Sequence, residues 1–216
     1  AIDYAGLETL NINLGSGGDI FTIQSTHSGA TVLTTNGGND TIHVLATSGT
    51  TTVNTNAGSD TVNIRTIGGT TTVNGGDDND TINVGSLAPG VWGNVNSISA
   101  LLTVNGNGGS DTLNVDDTGD AAANTGNLTD SGLTGLGMSA GIAYAGLETL
   151  NINLGSGGDT FTIQSTHTQA TVLTTNAGND TVHVLTTSGT TTVNTNADSD
   201  TVNIRTIGGT TTVNGG

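Results

Sequence analysis

Short runs of alternating apolar and polar residues come in pairs along the chain. In "TTVNTNAGSDTVNIRTIGG", residues 51–69, Val53 stands seven positions before Asp60, and Val62 and Ile64 stand two and four after it. The same frame surrounds Asp19, Asp40, Asp80, Asp111, Asp159, Asp180 and Asp200, with an aliphatic residue seven before each: Ile12, Leu33, Val73, Val104, Ile152, Leu173 and Val193. Thr usually follows the Asp, and Asn or His is frequent three positions on. Alternation of period two on both sides of a Gly/Asn-rich turn predicts strand, turn, strand. One unit, Thr51 to Thr70, reads as strand "TTVNT", turn "NAGSD", strand "TVNIR", turn "TIGGT".

Within a run the marker aspartates recur every 20 or 21 residues. Neither strand of a unit can bury its apolar side alone, whereas stacking successive units buries all of them in one column. The expected fold is therefore all-β: a right-handed parallel β-solenoid of about twenty residues per coil, that hand being the default for parallel crossovers. At a strand spacing of roughly 4.8 Å, some ten coils make a rod about 45–50 Å long.

A longer repeat encloses the short one. "YAGLETLNINLGSGGD" at 4–19 recurs at 144–159, and the offset of 140 holds over 76 positions with nine differences. Residues 1–140 form the first unit of one continuous solenoid and 141–216 a truncated second copy, so the chain reads as part of a longer array. Two stretches break the rhythm. Residues 85–101, with the only Pro and the only Trp, read as a surface loop. Residues 116–146 lack the marker, although "LTGLGM" and "YAGLETL" can supply core strands.

Composition sharpens this picture. With aromatics at 2% and a single Met, the core is built of small aliphatic side chains and must be narrow. Eighteen acidic residues face two arginines and no lysine. Such a surface does not neutralise a phosphate backbone, which argues against nucleic acid and anionic membranes as partners. Cations are the natural partners. The absence of Cys excludes disulfides and thiolate metal sites, and no apolar run approaches a membrane span.

The turns "NGGDDNDTINV" (74–84) and "NGGNDTIHV" (36–44) resemble the nonapeptide of RTX calcium-binding repeats, Gly-Gly-x-Gly-x-Asp-x-aliphatic-x. The resemblance covers most of 9–84, then 102–115 and 149–216. It implies Ca²⁺ held between neighbouring coils by Asp19, Asp40, Asp60, Asp80, Asp111, Asp159, Asp180 and Asp200, with Asp77, Asp78 and Asp198 as additional ligands. It also implies a secreted bacterial protein of the large surface-adhesin kind. The sequence departs from the family in that the opposite turn, "TIGGT" or "TSGT", has no Asp, so a single line of sites along one edge is expected. Asp78 and Asp198 also stand where Gly58 stands in its own coil.

A ladder of carboxylates about 4.8 Å apart repels by about 1 kcal/mol per pair in water and about 3–4 kcal/mol at an effective dielectric near 20. Calcium, a hard ion preferring carboxylate and carbonyl oxygens, would neutralise it. The competing reading is that each Asp accepts N–H groups of its own turn, an Asx-turn with no metal. Asp77, Asp78 and Asp80 form the densest cluster; Asp116, Asp117 and Asp120 form a second. His27, His43, His167 and His183 read as surface residues and Arg65 and Arg205 as local partners of a carboxylate; Trp92 can stack on a sugar or pack against a sheet end, and with no second aromatic nearby packing is favoured.

The function expected from these features is non-enzymatic: an extracellular structural repeat of a bacterial filament or adhesin, stiffened by calcium and able to associate end to end. The alternative is ice or other surface recognition by outward Thr-x-Asn pairs such as Thr61/Asn63 and Thr81/Asn83. Catalysis is disfavoured because acid–base work needs a unique, tuned pair of groups, and these carboxylates lie on near-identical repeated turns.

Overall fold

The computed structural model describes residues 3–216. Twenty strands succeed one another. The first ten are β1 (Thr9–Asn13), β2 (Ile20–Ile23), β3 (Ala30–Thr34), β4 (Thr41–Val44), β5 (Thr51–Ala57), β6 (Thr61–Ile64), β7 (Thr71–Asp77), β8 (Thr81–Val84), β9 (Leu102–Asn107) and β10 (Thr112–Asp116). Then follow β11 (Thr125–Leu128), β12 (Gly132–Gly135), β13 (Ile142–Ala145), β14 (Thr149–Asn153), β15 (Thr160–Ile163), β16 (Ala170–Thr174), β17 (Thr181–Val184), β18 (Thr191–Asn194), β19 (Thr201–Ile204) and β20 (Thr211–Asn214). No helix occurs among the described residues, hence none long and apolar enough to cross a membrane.

The strands form two sheets. Sheet I runs β1-β3-β5-β7-β9-β13-β12-β11-β15-β17-β19, and sheet II runs β2-β4-β6-β8-β10-β14-β16-β18-β20. Outside the β11–β13 insertion neighbours are parallel and in register, Val53 beside Val73 and Val62 beside Ile82, as a parallel β-solenoid requires. Inward positions carry one continuous core from Ile23 to Val193. Between the apolar ranks lie buried threonines that satisfy their hydroxyls on backbone: Thr51 and Thr71 Oγ1 donate to Gly49 O and Gly69 O, and Thr55 Oγ1 to Gly75 O at 2.6 Å. Buried polar groups persist only when so paired. This pairing lets Thr fill a core nearly without aromatics.

The second copy of the long repeat does not repeat the placement of the first. β1 lies in sheet I, but its duplicate β14 lies in sheet II beside β10; β2 lies in sheet II, but its duplicate β15 lies in sheet I. β15 comes thirteen strands after β2, an odd step, so the copy begins half a coil out of step. The cause lies in 116–146. There β11 and β12 form an antiparallel hairpin, β12 also pairs antiparallel with β13, and all three are inserted in sheet I alone. "LTGLGM" and "YAGLETL" supply core side chains as expected: Leu133, Leu136, Met138, Tyr144 and Leu147 are buried.

The stretch 85–101 is not merely a surface loop. Its outer part is exposed at Leu87, Val91 and Trp92, but Val95 and Ile98 return to the core, Ile98 bridging to Ile67. The insertion therefore continues the wall of the opposite turn through Ile98 while projecting its extra residues outward.

Candidate functional site: two carboxylate ladders

The turns before Asp40, Asp60, Asp80, Asp111, Asp180 and Asp200 reverse direction through left-handed residues. Asn36 and Gly38, Asn56 and Gly58, Asn107 and Gly109, and Asn176 and Gly178 all have positive φ. Glycine is needed at the second of these positions because a Cβ on Gly58 or Gly109 would run into the carbonyl of Gly38 or Asp78 in the neighbouring coil. Asp78 (φ 75°) and Asp198 (φ 80°) occupy the same position under strain. Asp198 gains a compensating contact, its Oδ2 accepting Gly178 N–H at 3.1 Å.

The turn delivers the marker carboxylate inward, beneath the end of the next strand. Asp40, Asp60, Asp80, Asp111, Asp159 and Asp180 are all buried, none more than 3% exposed. One oxygen of each is accounted for. Oδ1 of Asp40 accepts the backbone N–H of Asp19 at 2.7 Å, that of Asp60 accepts Asp40 at 2.7 Å, that of Asp80 accepts Asp60 at 2.9 Å, and that of Asp111 accepts Asp80 at 2.8 Å. Meanwhile Asp40 and Asp60 carbonyls accept Thr61 and Thr81 N–H from the following coil. Every marker residue between the end members Asp19 and Asp200 is thus tied on both sides to its neighbours. The partner is not the residue's own turn, as an Asx-turn would have it, but the preceding coil.

The other oxygen has no partner. Oδ2 of Asp19, Asp40, Asp60, Asp80, Asp111 and Asp180 is enclosed and unbonded. Burial pushes the carboxyls of Asp60, Asp111, Asp159 and Asp180 above the usual 3.8, inter-coil amide bonds offsetting part of the rise. Asp80 is pushed up to about 7, by burial first and then by the charges of Asp60, Asp111 and Asp78. At Asp80 and Asp111 the carboxylate occupies space that a side chain takes elsewhere: the threonine positions Thr35 and Thr55 are Gly75 and Gly106 in these coils, and a Cβ on either would run into the Oδ2 atom.

The half-coil displacement splits the aspartates into two ladders where one was expected. Asp19, Asp40, Asp60, Asp80 and Asp111 all precede sheet II strands and line the first edge. Asp159, Asp180 and Asp200 precede sheet I strands and line the opposite edge, with Asp159 and Asp180 N–H donating to Asp180 and Asp200 Oδ1 at 2.7 and 2.9 Å. The first ladder ends on Glu148, whose Oε2 accepts Asp111 N–H at 2.6 Å; the second begins at Asn124, whose N–H donates to Asp159 at 2.7 Å. Glu148 escaped the sequence reading, yet its signal is plain: "ETLNI" (148–152) has the form of "DTLNV" (111–115), with Glu for Asp.

Other expectations are redistributed. Asp77 and Asp78 are exposed on their turn while Asp80 points inward, so the dense cluster divides between surface and interior. Among the described residues no three acidic or histidine side chains gather as a metal cage. Asp116, Asp117 and Asp120 pin the 85–101 insertion: Asp116 Oδ2 accepts Gly93 N–H at 2.8 Å, Asp117 Oδ1 accepts Val95 N–H at 3.0 Å, and Asp120 Oδ2 accepts the Asn96 amide at 3.0 Å. Arg65 Nε donates to the Ala88 carbonyl at 2.9 Å, not to a carboxylate. His43 joins an outward rank by its contact with Asn63, and His27 and His167 stand edge-to-face on Tyr4 and Tyr144. Trp92 is 74% exposed and packs against no sheet end.

The outward faces are ordered too. Thr41, Thr61, Thr81, Thr112 and Thr149 align on sheet II. Beside them the amides of Asn63, Asn83, Asn114 and Asn151 are hydrogen-bonded to one another at 2.8–2.9 Å. No family model, curated protein or solved structure matches the chain.

Proposed function

We propose that this chain is a load-bearing, non-enzymatic rod segment of a secreted bacterial filament or surface adhesin, in which buried carboxylate ladders fasten coil to coil. The observation that carries the reading is the chain of Asp N–H to Asp Oδ1 bonds running from Asp19 to Asp111, each with a second, orphaned oxygen. Such a ladder holds adjacent coils in one register and has no geometry for turning over a substrate.

The orphaned oxygens need a counter-charge, and we assign it to calcium. The donors are oxygen only, as this hard ion requires, and each level offers two carboxylates. Turn carbonyls and water would complete the shell, since no third acidic side chain joins them. Asp60, Asp80 and Asp111 would hold the ion on the first edge, and Asp159, Asp180 and Asp200 on the other. Asp77, Asp78 and Asp198, on the outside of their turns, would act only through their charge. Calcium bound there supplies charge neutralisation and cross-linking of coils, not catalysis. A secreted location follows from this reading because extracellular calcium is plentiful, and end-to-end association follows from strand edges that continue the solenoid.

Thermal melting followed by circular dichroism tests this at neutral pH, in chelator and then in millimolar calcium. A rise in Tm with calcium, reduced in the Asp80→Asn/Asp111→Asn double variant, is expected. Equal melting temperatures in both conditions, with no calorimetric uptake, would remove calcium from the account. A second reading, recognition of ice or another regular surface, is favoured by the five aligned threonines of sheet II; thermal hysteresis at high protein concentration would reveal it.

A further inference from the structure

The insertion at 85–101 carries the only Trp of the chain on its outermost turn. Trp92 is 74% and Val91 64% exposed, in a protein that otherwise has few aromatic side chains to place anywhere. Its backbone is held in the left-handed region, φ 72°, which a bulky side chain adopts only when its surroundings impose it. Those surroundings are specific: Trp92 N–H donates to Thr118 Oγ1 at 2.9 Å, Gly93 N–H to Asp116 Oδ2 at 2.8 Å, and Gly119 N–H to Gly93 O at 2.7 Å. Thr118 Oγ1 in turn donates to Asp116 Oδ1 at 2.6 Å. A strained turn is thus fixed so that it presents an indole to solvent.

Beneath the indole lies a pocket of about 320 Å³ bounded by Val91, Trp92, Thr118, Ser156, Asn176 and Ala177, a size typical of small-ligand sites (about 300–1,000 Å³). Its far wall comes from the second copy. Ser156, Asn176 and Ala177 belong to the marker turns that the half-coil displacement brings to this edge; their duplicates Ser16, Asn36 and Gly37 lie on the other one. A second hollow, of about 280 Å³ and including Pro89, Asn114 and Asn153, adjoins the first across Val91.

We propose that this is a binding site for a neutral polysaccharide, one pyranose ring stacking its C–H face on Trp92 while the chain continues across Val91. Charge selects the class. Asp116, Asp117 and Asp120 lie on the turn behind the loop, the chain has no Lys, and Arg65 is engaged by Ala88. Uronic acids, phosphates and nucleic acids are therefore repelled, and a polyhydroxyl ligand without charge is not. The amphipathic indole suits a ligand with one apolar face and a hydroxyl rim, and Ser156 is exposed at the pocket rim to meet that rim. In a tandem array the site would recur once per long repeat, on alternating sides of the rod, so weak single contacts would add by multivalency.

Because Trp92 is the sole tryptophan, its fluorescence reports the site directly. Titration with cellohexaose, xylohexaose, maltohexaose and N-acetylchitohexaose is expected to give a saturable emission shift with at least one of them, and oligogalacturonate none. Calorimetry should show Trp92→Ala weakening that ligand by about tenfold or more, with Trp92→Phe retaining part of the affinity and both variants keeping the parent circular dichroism spectrum. No shift with any neutral oligosaccharide up to about 10 mM, far above useful affinities, overturns the proposal. So does undiminished binding by Trp92→Ala, or a response confined to oligogalacturonate or to an aromatic-rich peptide.

Discussion

Phe161→Ala is expected to cost about 3–5 kcal/mol, the range for truncating a fully enclosed aromatic, whereas Phe21→Ala should cost distinctly less. The two residues are duplicates in almost identical sequence, so local propensity cannot separate them. What differs is the neighbour. Phe161 is fully buried and lies beside Gly126 of β11, whose missing side chain leaves space for the ring. A Cβ on Gly126 would touch both the Phe161 ring and a Leu136 methyl. Phe21 sits in the first coil and is only partly covered. Removing Phe161 therefore opens a cavity at the junction where the inserted hairpin meets the second copy, and few neighbours can close around it. Urea denaturation of the two variants checks this, with hydrogen exchange at β15 to locate the loss, because a repeat protein need not unfold in one step. Equal losses would mean that the β11–β15 junction does not carry the packing described.

In chelator, stability should fall as pH rises from about 4 to 8. Asp60, Asp80, Asp111, Asp117, Asp159 and Asp180 all have carboxyls raised above the usual 3.8, Asp80 and Asp117 to about 7, with burial the leading cause in each. A group whose folded pKa exceeds its unfolded value favours the folded state most when both states are protonated, below about 3.9. That contribution is lost as pH climbs through the folded value. Asp120 is shifted the other way, mainly by the backbone N–H of Ala122. Its contribution is present above 3.8 and fails only at lower pH, so it does not cancel the trend between 4 and 8. Melting temperatures at half-unit intervals in chelator are expected to decline across that window. Asp80→Asn, which keeps an acceptor for Asp60 N–H but cannot ionise, should decline less. A flat profile would show that the ladder oxygens are solvated in the folded protein.

The period-two runs and the 20-residue beat specify strands, register and the inward side well, because each coil repeats the same local conflict and stacking is the one way to resolve it. The marker Asp was legible as a position, and its partner was not. A hydrogen bond to a residue twenty positions earlier looks, in one dimension, the same as a bond within a turn. The single edge failed for a subtler reason. "TLNIN" satisfies the pattern of a strand before the marker turn and, preceded by Glu148, the pattern of a strand after it. Period-two alternation leaves both placements open, and the antiparallel hairpin at Gly126–Gly135 decides between them. That hairpin is rich in glycine and too short to announce itself. Likewise Val95 and Ile98 carry no periodic signal that would mark 85–101 as returning to the core, and nothing in the residues around Trp92 shows that Thr118 and Asp116 hold it outward.

The most direct test of the ladder account is to count protons released per calcium ion bound. Calorimetric titrations at pH 6 in buffers of differing ionisation enthalpy give this number. If calcium replaces protons on the enclosed carboxyls, the heat should vary with the buffer and report a net release that shrinks in Asp80→Asn. Calcium binding with no proton release, or release unchanged by Asp80→Asn, would contradict the assignment of the orphaned Oδ2 atoms as the place where the counter-charge sits.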